Sequence, residues 1–192
     1  MNWFKKIYLN NFFFYALAGI IICFVVSHFF PALYTAVWLL LYIFIAFTVI
    51  DLLLLFATNQ RFEASRNAPE KLSNGDENPI RIRMHSGYSF PVKIRVIDEI
   101  PEQFQMRNFE VRRSVPSGSS DSFEYFLRPV ERGEYYFGSL NIYISSPLQL
   151  VSRRFTFGTG QMVPTYPSYI QLRKYDLMAF SNRLFQYGLK KI

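Results

Sequence analysis

The chain of 192 residues has a formal net charge of +7, and 51% of its residues are hydrophobic. Residues 1–58 contain only Lys5, Lys6 and Asp51 as charged groups, so they contribute +1 and the remainder of the chain contributes +6. Cys23 is the only cysteine, which excludes an intramolecular disulfide and a cysteine-based zinc site. The chain beyond the first 58 residues is long enough for one domain with its own core.

Two apolar runs dominate the first part of the chain, at residues 12–30 and 32–57. A helix needs roughly 20 apolar residues to cross ~30 Å of hydrocarbon, and both runs meet that length. Pro31 separates them, because proline lacks a backbone N–H and disfavours helix at the residue before it. We therefore predict a transmembrane helical hairpin in residues 1–58, with spans at about 12–30 and 33–57.

The basic residues that flank this hairpin indicate its orientation. Lys5 and Lys6 precede the first span, and Arg61, Arg66 and Lys71 follow the second, whereas the turn contains no lysine or arginine. Because such residues remain on the cytoplasmic side, we predict a multi-pass protein of the cell (inner) membrane with both termini and the soluble domain cytoplasmic. A cleaved signal peptide is the disfavoured alternative, since the first run is too long and lacks a small-x-small cleavage site.

Asp51 is the only charged residue within the two apolar runs. Carboxylates inside membranes often mark proton or ion pathways, so a transporter or a membrane enzyme that uses Asp51 is one alternative. The runs offer it no basic partner, and its position near the end of the second run favours the membrane interface instead. The transport alternative predicts that Asp51→Asn abolishes function, whereas a scaffold role predicts nearly unchanged behaviour.

From residue 61 onward the sequence changes to short segments in which apolar and polar residues alternate. Such alternation is typical of half-buried strands, and Gly, Pro, Asn and Ser clusters separate the segments. The segments lie at residues 62–66, 80–84, 92–96, 109–112, 123–128, 140–144, 151–157 and 161–166. About eight strands without an intervening long helix predict an all-β antiparallel sandwich of immunoglobulin-like type in residues 59–168.

After residue 168 the alternation gives way to apolar residues at mixed helical spacing. We predict a short helix from about Gln171 to Gln186, so that residues 169–192 form a helical lead toward a further domain.

Five basic residues alternate with apolar residues on the predicted strands: Arg81, Arg83, Lys93, Arg95 and Arg112. If those strands are neighbours, the five side chains line the solvent face of one sheet. Such a face is either an ordinary solvated surface or a surface for anionic lipid or an acidic protein partner. Nucleic acid is not an expected partner, because the predicted hairpin anchors the domain at a membrane.

The sequence offers no recognisable site for catalysis. Gly158-Thr159-Gly160 lacks the remainder of a phosphate-binding loop, and there is no Gly-x-Ser-x-Gly motif. The two histidines, His28 and His85, lie in the predicted hairpin turn and at a strand end, so they are not expected to share a metal. We therefore predict a protein that is not an enzyme and has neither a cofactor nor a metal site.

An ordered series of short motifs carries a resemblance to a known family. Residues 127–138 read Leu-Arg-Pro-Val-Glu-Arg-Gly-Glu-Tyr-Tyr-Phe-Gly, and the motifs Ser146-Pro147-Leu148-x-Leu150 and Val163-Pro164-x-Tyr166-Pro167 follow. With the hairpin before it, this series resembles the N-terminal half of the bacterial MoxR-associated membrane proteins of domain of unknown function 58 (DUF-58). Position 149 is Gln here, where glycine is commoner in that family.

The resemblance implies a non-enzymatic component that works beside a MoxR-type AAA+ ATPase. It further implies that Gly133 serves a turn and that the aromatic residues of 135–138 fill the core. Such proteins continue into a von Willebrand A-like domain that this sequence does not contain, so we expect a fragment or a truncated version. The remaining alternative is an extracytoplasmic sandwich that acts as a binding or adhesion module.

Overall fold

The computed structural model describes residues 6–56, 62–107, 109–158 and 160–168. Two helices, α1 at Asn11–Phe29 and α2 at Tyr34–Phe56, form the N-terminal hairpin, and a 3₁₀ turn at Pro31–Leu33 joins them. Both helices are long and apolar enough to cross a membrane. The predicted bounds of the two spans agree with these helices to within one residue, and the predicted break at the proline is confirmed.

The two helices pack against each other through aromatic rings. The Phe13 and Phe44 rings lie 5.1 Å apart at one end of the pair, and the Phe24 and Trp38 rings lie 5.5 Å apart toward the other. The buried residues of the pair are Ile20, Ser27, Val37, Asp51 and Leu55. Most other large apolar side chains of both helices are exposed, so the rest of the described chain does not cover the hairpin.

Eleven strands occur within the described residues. They are β1 (Ile7–Leu9), β2 (Phe62–Asn67), β3 (Leu72–Ser73), β4 (Asn78–Ser86), β5 (Val92–Asp98), β6 (Glu110–Val115), β7 (Ser120–Leu127), β8 (Gly133–Phe137), β9 (Leu140–Ser145), β10 (Val151–Phe157) and β11 (Gln161–Tyr166). A five-stranded sheet has the order β1-β10-β9-β5-β6, and two three-stranded sheets have the orders β2-β4-β7 and β3-β11-β8. Pairing is antiparallel except between β3 and β11, so the predicted immunoglobulin-like sandwich is confirmed as an architecture.

The core of the sandwich follows from the alternation that predicted its strands. On β4 the residues Asn78, Ile80, Ile82, Met84 and Ser86 are buried, and the residues between them are exposed. β5 repeats the pattern, since Val92, Ile94 and Val96 are buried and the basic residues between them are exposed or half-buried. A period of two places one face of each strand in the core and the other in solvent.

Three of the observed strands, β1, β3 and β8, lie outside the predicted segments. β1 precedes the first predicted span, and it pairs with β10 and belongs to the five-stranded sheet. β8 has the sequence Gly-Glu-Tyr-Tyr-Phe, in which consecutive aromatic residues conceal the alternation. Gly133 has a φ of +142°, as expected for a turn. Tyr135 and Phe137 are buried as expected, but Tyr136 between them is 57% exposed, because successive residues of a strand point to opposite faces. The predicted helix at residues 171–186 lies outside the described residues.

Arg66 is not available to the membrane surface, contrary to the orientation argument that counted it among the flanking basic residues. Its side chain is 7% exposed, and its Nη1 lies 2.6 Å from Oδ1 of the buried Asp98. Nη2 donates to the carbonyl oxygen of Gly138 at 3.0 Å, and the guanidinium lies 5.0 Å from the centroid of the Phe137 ring. The residue therefore stabilises the interior of the sandwich, where it joins β2 to β5.

Candidate functional site

Both ends of the hairpin meet one segment of the sandwich, residues 145–153, which we call the junction loop. β1 leads directly toward α1 and pairs with β10, where Ile7 lies opposite Arg153 and Leu9 opposite Val151. The last turns of α2 contact the same segment from the other side. The junction loop therefore fixes the orientation of the hairpin relative to the sandwich.

Asp51 of α2 is the central group of this junction, and its side chain is fully buried. Its Oδ2 accepts hydrogen bonds from the backbone N–H groups of Leu150 at 2.9 Å and Val151 at 2.8 Å. Its Oδ1 accepts one from the hydroxyl of Ser146, which is also buried. Three donors from the sandwich satisfy the carboxylate, and buried polar groups require such partners.

The junction loop presents these donors through a tight turn. The N–H of Gln149 donates to the carbonyl oxygen of Ser146 at 3.2 Å, and the N–H of Leu148 donates to the Ser146 hydroxyl at 3.0 Å. Gln149 has a φ of +56°, in the left-handed region that favours glycine. A glycine at position 149 would adopt this conformation without the steric cost that the glutamine side chain imposes.

Asn10 attaches the start of α1 to the same turn. Its backbone N–H donates to the carbonyl oxygen of Leu150 at 3.0 Å, and its Nδ2 donates to the carbonyl oxygen of Gln149 at 3.0 Å and to the hydroxyl of Ser145 at 3.1 Å. The Ser152 hydroxyl donates to its Oδ1. Asn10 precedes the helix but makes no side-chain capping bond, so its amide serves the junction instead.

The last turn of α2 is attached through the carbonyl oxygen of Leu55. Arg153 donates from Nη1 at 2.7 Å, and the buried hydroxyl of Tyr88 donates at 3.3 Å. Burial raises the pKa of Tyr88, so this hydroxyl remains protonated and able to donate. The Arg153 guanidinium also lies against the rings of Phe56 and Phe155, at 4.9 and 4.7 Å from their centroids. A cation near a helix C-terminus is favourable because it complements the helix dipole.

The geometry supports a structural role for Asp51 rather than a place in a transport pathway. Its partners are backbone amides and a hydroxyl of a folded domain, and they hold the carboxylate in one position. The expectation that Asp51 lies at the end of the apolar span agrees with this placement. Its partners were not predictable from local pattern, because they lie 95 to 100 residues away in the sequence.

The five predicted basic surface residues do not line one face. Arg81 and Arg83 lie on β4, in the β2-β4-β7 sheet, whereas Lys93, Arg95 and Arg112 lie on β5 and β6 of the five-stranded sheet. The condition for a single face, that these strands are neighbours, is therefore not met, because alternation identifies the outer side of a strand but not the sheet to which that strand belongs.

Three of these residues, Arg81, Arg95 and Arg112, have partners that neutralise or orient them, and Arg112 donates from Nε to Oε1 of Glu110 at 2.6 Å. Arg81 donates from Nε to Oε1 of Glu124 at 2.6 Å, on the exposed face of the β4–β7 pair. Arg95 lies over the ring of Tyr143, with 4.6 Å from its Cζ to the ring centroid. Exposed ion pairs such as that of Arg81 with Glu124 contribute little to stability, about 0–1 kcal/mol.

His85 lies on the outer face of β4, with its Nδ1 3.0 Å from the Ser120 hydroxyl. Glu63 is its cross-strand neighbour on β2. All three side chains are exposed on an open sheet face, where water competes for the serine hydroxyl. The arrangement is a surface hydrogen bond, and among the described residues no group of three His, Cys, Asp or Glu side chains is placed to hold a metal ion.

No protein-family model matches this sequence, and no curated protein matches it. Among solved structures, a CARDB domain from Pyrococcus furiosus has a TM-score of 0.37 and 11% identity, over 56% of this chain and 89% of that chain. A PapD-like domain of human CEP192 has a TM-score of 0.38 and 8% identity, over 55% and 86%. A PKD domain of an M14-like peptidase from a Thermoplasmatales archaeon has a TM-score of 0.33 and 10% identity, over 53% and 91%. At these values the similarities assign no function.

Proposed function

We propose that the chain is a membrane-anchored, non-enzymatic interaction module whose sandwich is held at the cytoplasmic face of the cell membrane. The junction carries this proposal, because it fastens both ends of an uncovered apolar hairpin to one loop of a soluble domain. Helices that are apolar on all sides and not covered by protein require an apolar environment such as the interior of a bilayer.

The dimensions of the hairpin agree with this arrangement. Asn10 and Asp51 bind the same turn, so they lie at one level, and the bilayer begins just beyond it. α1 has 19 residues, which span roughly 28 Å, and the part of α2 before Asp51 spans roughly 25 Å. A hydrocarbon core of ~30 Å matches both lengths with a slight adjustment of the bilayer.

A cytoplasmic location for the sandwich is supported by the distribution of basic residues. Lys5 and Lys6 precede α1 and Arg61 and Lys71 follow α2, whereas the hairpin turn contains neither residue type. Arg66 no longer contributes to this argument, since it is buried in the sandwich.

The proposed protein partner is a MoxR-type AAA+ ATPase, on the basis of the family resemblance. To test it, the chain is inserted into lipid nanodiscs and titrated with a purified MoxR-type ATPase in biolayer interferometry, with ATP or ADP present. We expect saturable binding to the nanodiscs that contain the chain. Nanodiscs that contain an unrelated two-helix protein serve as the control. An equal signal from the control would refute this partner.

A further inference from the structure

A basic groove of about 490 Å³ lies between the outer face of the five-stranded sheet and the start of α1. The residues that define it here are Asn11, Phe12, Lys93, Arg95, Arg112 and Arg113. Three cationic side chains, those of Lys93, Arg95 and Arg112, face this groove, and no carboxylate lines it. The Arg113 side chain lies on the opposite face of β6, with its guanidinium 5.8 Å from the centroid of the Phe123 ring. Arg81 and Arg83, on the other sheet, do not contribute to it.

The strand register concentrates positive charge on the floor of this groove. Arg95 of β5 lies directly opposite Arg112 of β6, and Lys93 lies two residues along β5 on the same face. Like charges in directly opposed positions are unfavourable for a sheet. An anion bound between them would remove that repulsion.

One carboxylate beside Arg112, that of Glu110 on the same strand, compensates only part of this charge. Glu110 accepts from Nε of Arg112 at 2.6 Å and lies 4.0 Å from Nη1 of Arg95. Among the ion pairs of the described residues none involves Lys93. One acidic group against three cations leaves an excess of positive charge that favours a phosphate or another anion.

The groove opens beside the point where the hairpin leaves the sandwich. Lys93 lies opposite Ser145, and the Ser145 hydroxyl accepts a hydrogen bond from Asn10, the residue before α1. Phe12 and Leu9 add apolar walls, with 59% and 43% of their surfaces exposed. The positive floor therefore adjoins an apolar edge, in the order in which a phospholipid presents its phosphate and its acyl chains.

We propose that this groove binds the head group of an anionic phospholipid, with the phosphate between Lys93, Arg95 and Arg112 and the acyl chains against Phe12. The inference rests on the membrane anchoring in the proposed function, since only an inserted hairpin brings the groove to the level of lipid phosphates. It requires neither the ATPase partner nor a particular topology, because both leaflets of a bilayer present phosphates.

The test measures lipid retained by the purified full chain in a mild detergent, by native mass spectrometry, at increasing concentrations of phosphatidylglycerol. The variant Lys93→Gln/Arg95→Gln/Arg112→Gln removes three charges from the groove. The matched control, Arg83→Gln/Arg128→Gln/Arg132→Gln, removes three exposed charges elsewhere on the sandwich. Thermal melting of all three proteins verifies that each is folded.

We expect the natural chain to retain one phosphatidylglycerol in preference to phosphatidylcholine, and the groove variant to bind it at least about tenfold more weakly. The control variant should bind like the natural chain. Equal retention of the two lipids, or an equal loss in both variants, would overturn the proposal.

A parallel titration with water-soluble glycerol phosphate distinguishes a lipid from a free phosphate ester. We expect it to bind far more weakly, because it lacks the chains that contact Phe12; binding as tight as that of the lipid would refute a lipid ligand. Alkaline extraction of membranes reports separately on anchoring. A chain that resists extraction but retains no lipid would refute the groove proposal alone, whereas a chain that is extracted would refute the anchor.

Discussion

Replacing Asp51 with alanine should lower the free energy of unfolding by about 3–5 kcal/mol. The substitution removes three hydrogen bonds to a charged acceptor and leaves the buried N–H groups of Leu150 and Val151 without that acceptor. A buried donor without a partner costs about 1–3 kcal/mol, and a hydrogen bond to a charged group contributes about 1.5–3 kcal/mol. Because the carboxylate connects α2 to the junction loop, the loss should loosen the hairpin from the sandwich.

Thermal melting of the purified chain in detergent, followed by near-ultraviolet circular dichroism, measures this effect. A loss of this size corresponds to a melting temperature lower by roughly 10 °C in a chain of this length. Thr48→Ala is the matched control on the same helix, because the Thr48 hydroxyl donates only to the carbonyl oxygen of Phe44 within α2. A melting temperature for Asp51→Ala equal to that of the control would show that the carboxylate does not hold the junction.

Replacing Asp51 with asparagine should lower the free energy of unfolding, but by less than the alanine replacement does. The amide retains one oxygen for the N–H groups of the junction loop but loses the charge that strengthens those bonds, so we expect a loss of about 1–2 kcal/mol. This replaces the expectation, drawn from the sequence, that a scaffold role leaves Asp51→Asn nearly unchanged. That expectation assumed an interfacial carboxylate without partners.

Replacing Arg66 with alanine should destabilise the sandwich by about 3–5 kcal/mol, because it leaves the buried Asp98 carboxylate without its cation. Arg66 and Asp98 have side-chain exposures of 7% and 0% and are 2.6 Å apart. The second oxygen of Asp98 accepts from the hydroxyl of Tyr125 at 2.6 Å, so the cluster spans β2, β5 and β7. Its members come from both main sheets, and its loss should weaken the packing of one on the other.

Urea unfolding monitored by far-ultraviolet circular dichroism measures the change. Arg81→Ala is the control, since it breaks an ion pair with Glu124 whose side chains are 48% and 35% exposed, and it should cost less than about 1 kcal/mol. The double variant Arg66→Met/Asp98→Leu should lose less than the sum of the two single replacements, because neither charge is then left alone. Strictly additive losses would show that the two groups do not act as a pair.

The cluster of Arg66, Asp98 and Tyr125 also makes the stability of the sandwich depend on pH in the alkaline range. Burial, and then the neighbouring Asp98 charge and hydrogen bond, raise the pKa of Tyr125 above its ordinary value of 10. Below pH 10 the phenol is protonated in both the folded and the unfolded state. As the pH rises above 10, the unfolded state releases the proton while the folded state, with its raised pKa, retains it. Stability is therefore lost as the pH rises above about 10.

The features that were predictable from the sequence depend on local pattern. The helices of the hairpin follow from two apolar runs and Pro31, and the strands follow from alternation of period two. β8 was missed because three consecutive aromatic residues remove the alternation, and β1 because three residues carry too little pattern. Both segments form strands because each pairs with a strand that is distant in the sequence, β1 with β10 and β8 with β11.

The candidate site depends on contacts between distant parts of the chain, which local pattern does not encode. Asp51 was recognisable as an isolated charge, but its partners in the junction loop become neighbours only in the folded sandwich. Arg66 follows the second apolar run in the sequence, as a membrane-flanking basic residue would, but its side chain lies in the interior of the sandwich. The one signal that pointed to the junction loop was the Ser146-Pro147-Leu148 motif of the family resemblance, and it did not indicate what the serine binds.

Cysteine labelling of the membrane-inserted chain tests the central claim most directly. In a Cys23→Ala background, Ala32→Cys places a thiol at the hairpin turn and Ser117→Cys places one on an exposed turn of the sandwich. Spheroplasts are treated with a membrane-impermeant maleimide before and after permeabilisation. A hairpin with a cytoplasmic sandwich predicts labelling of Ala32→Cys from outside and of Ser117→Cys only after permeabilisation. Labelling of Ser117→Cys in sealed spheroplasts would contradict that account and place the sandwich outside the cytoplasm.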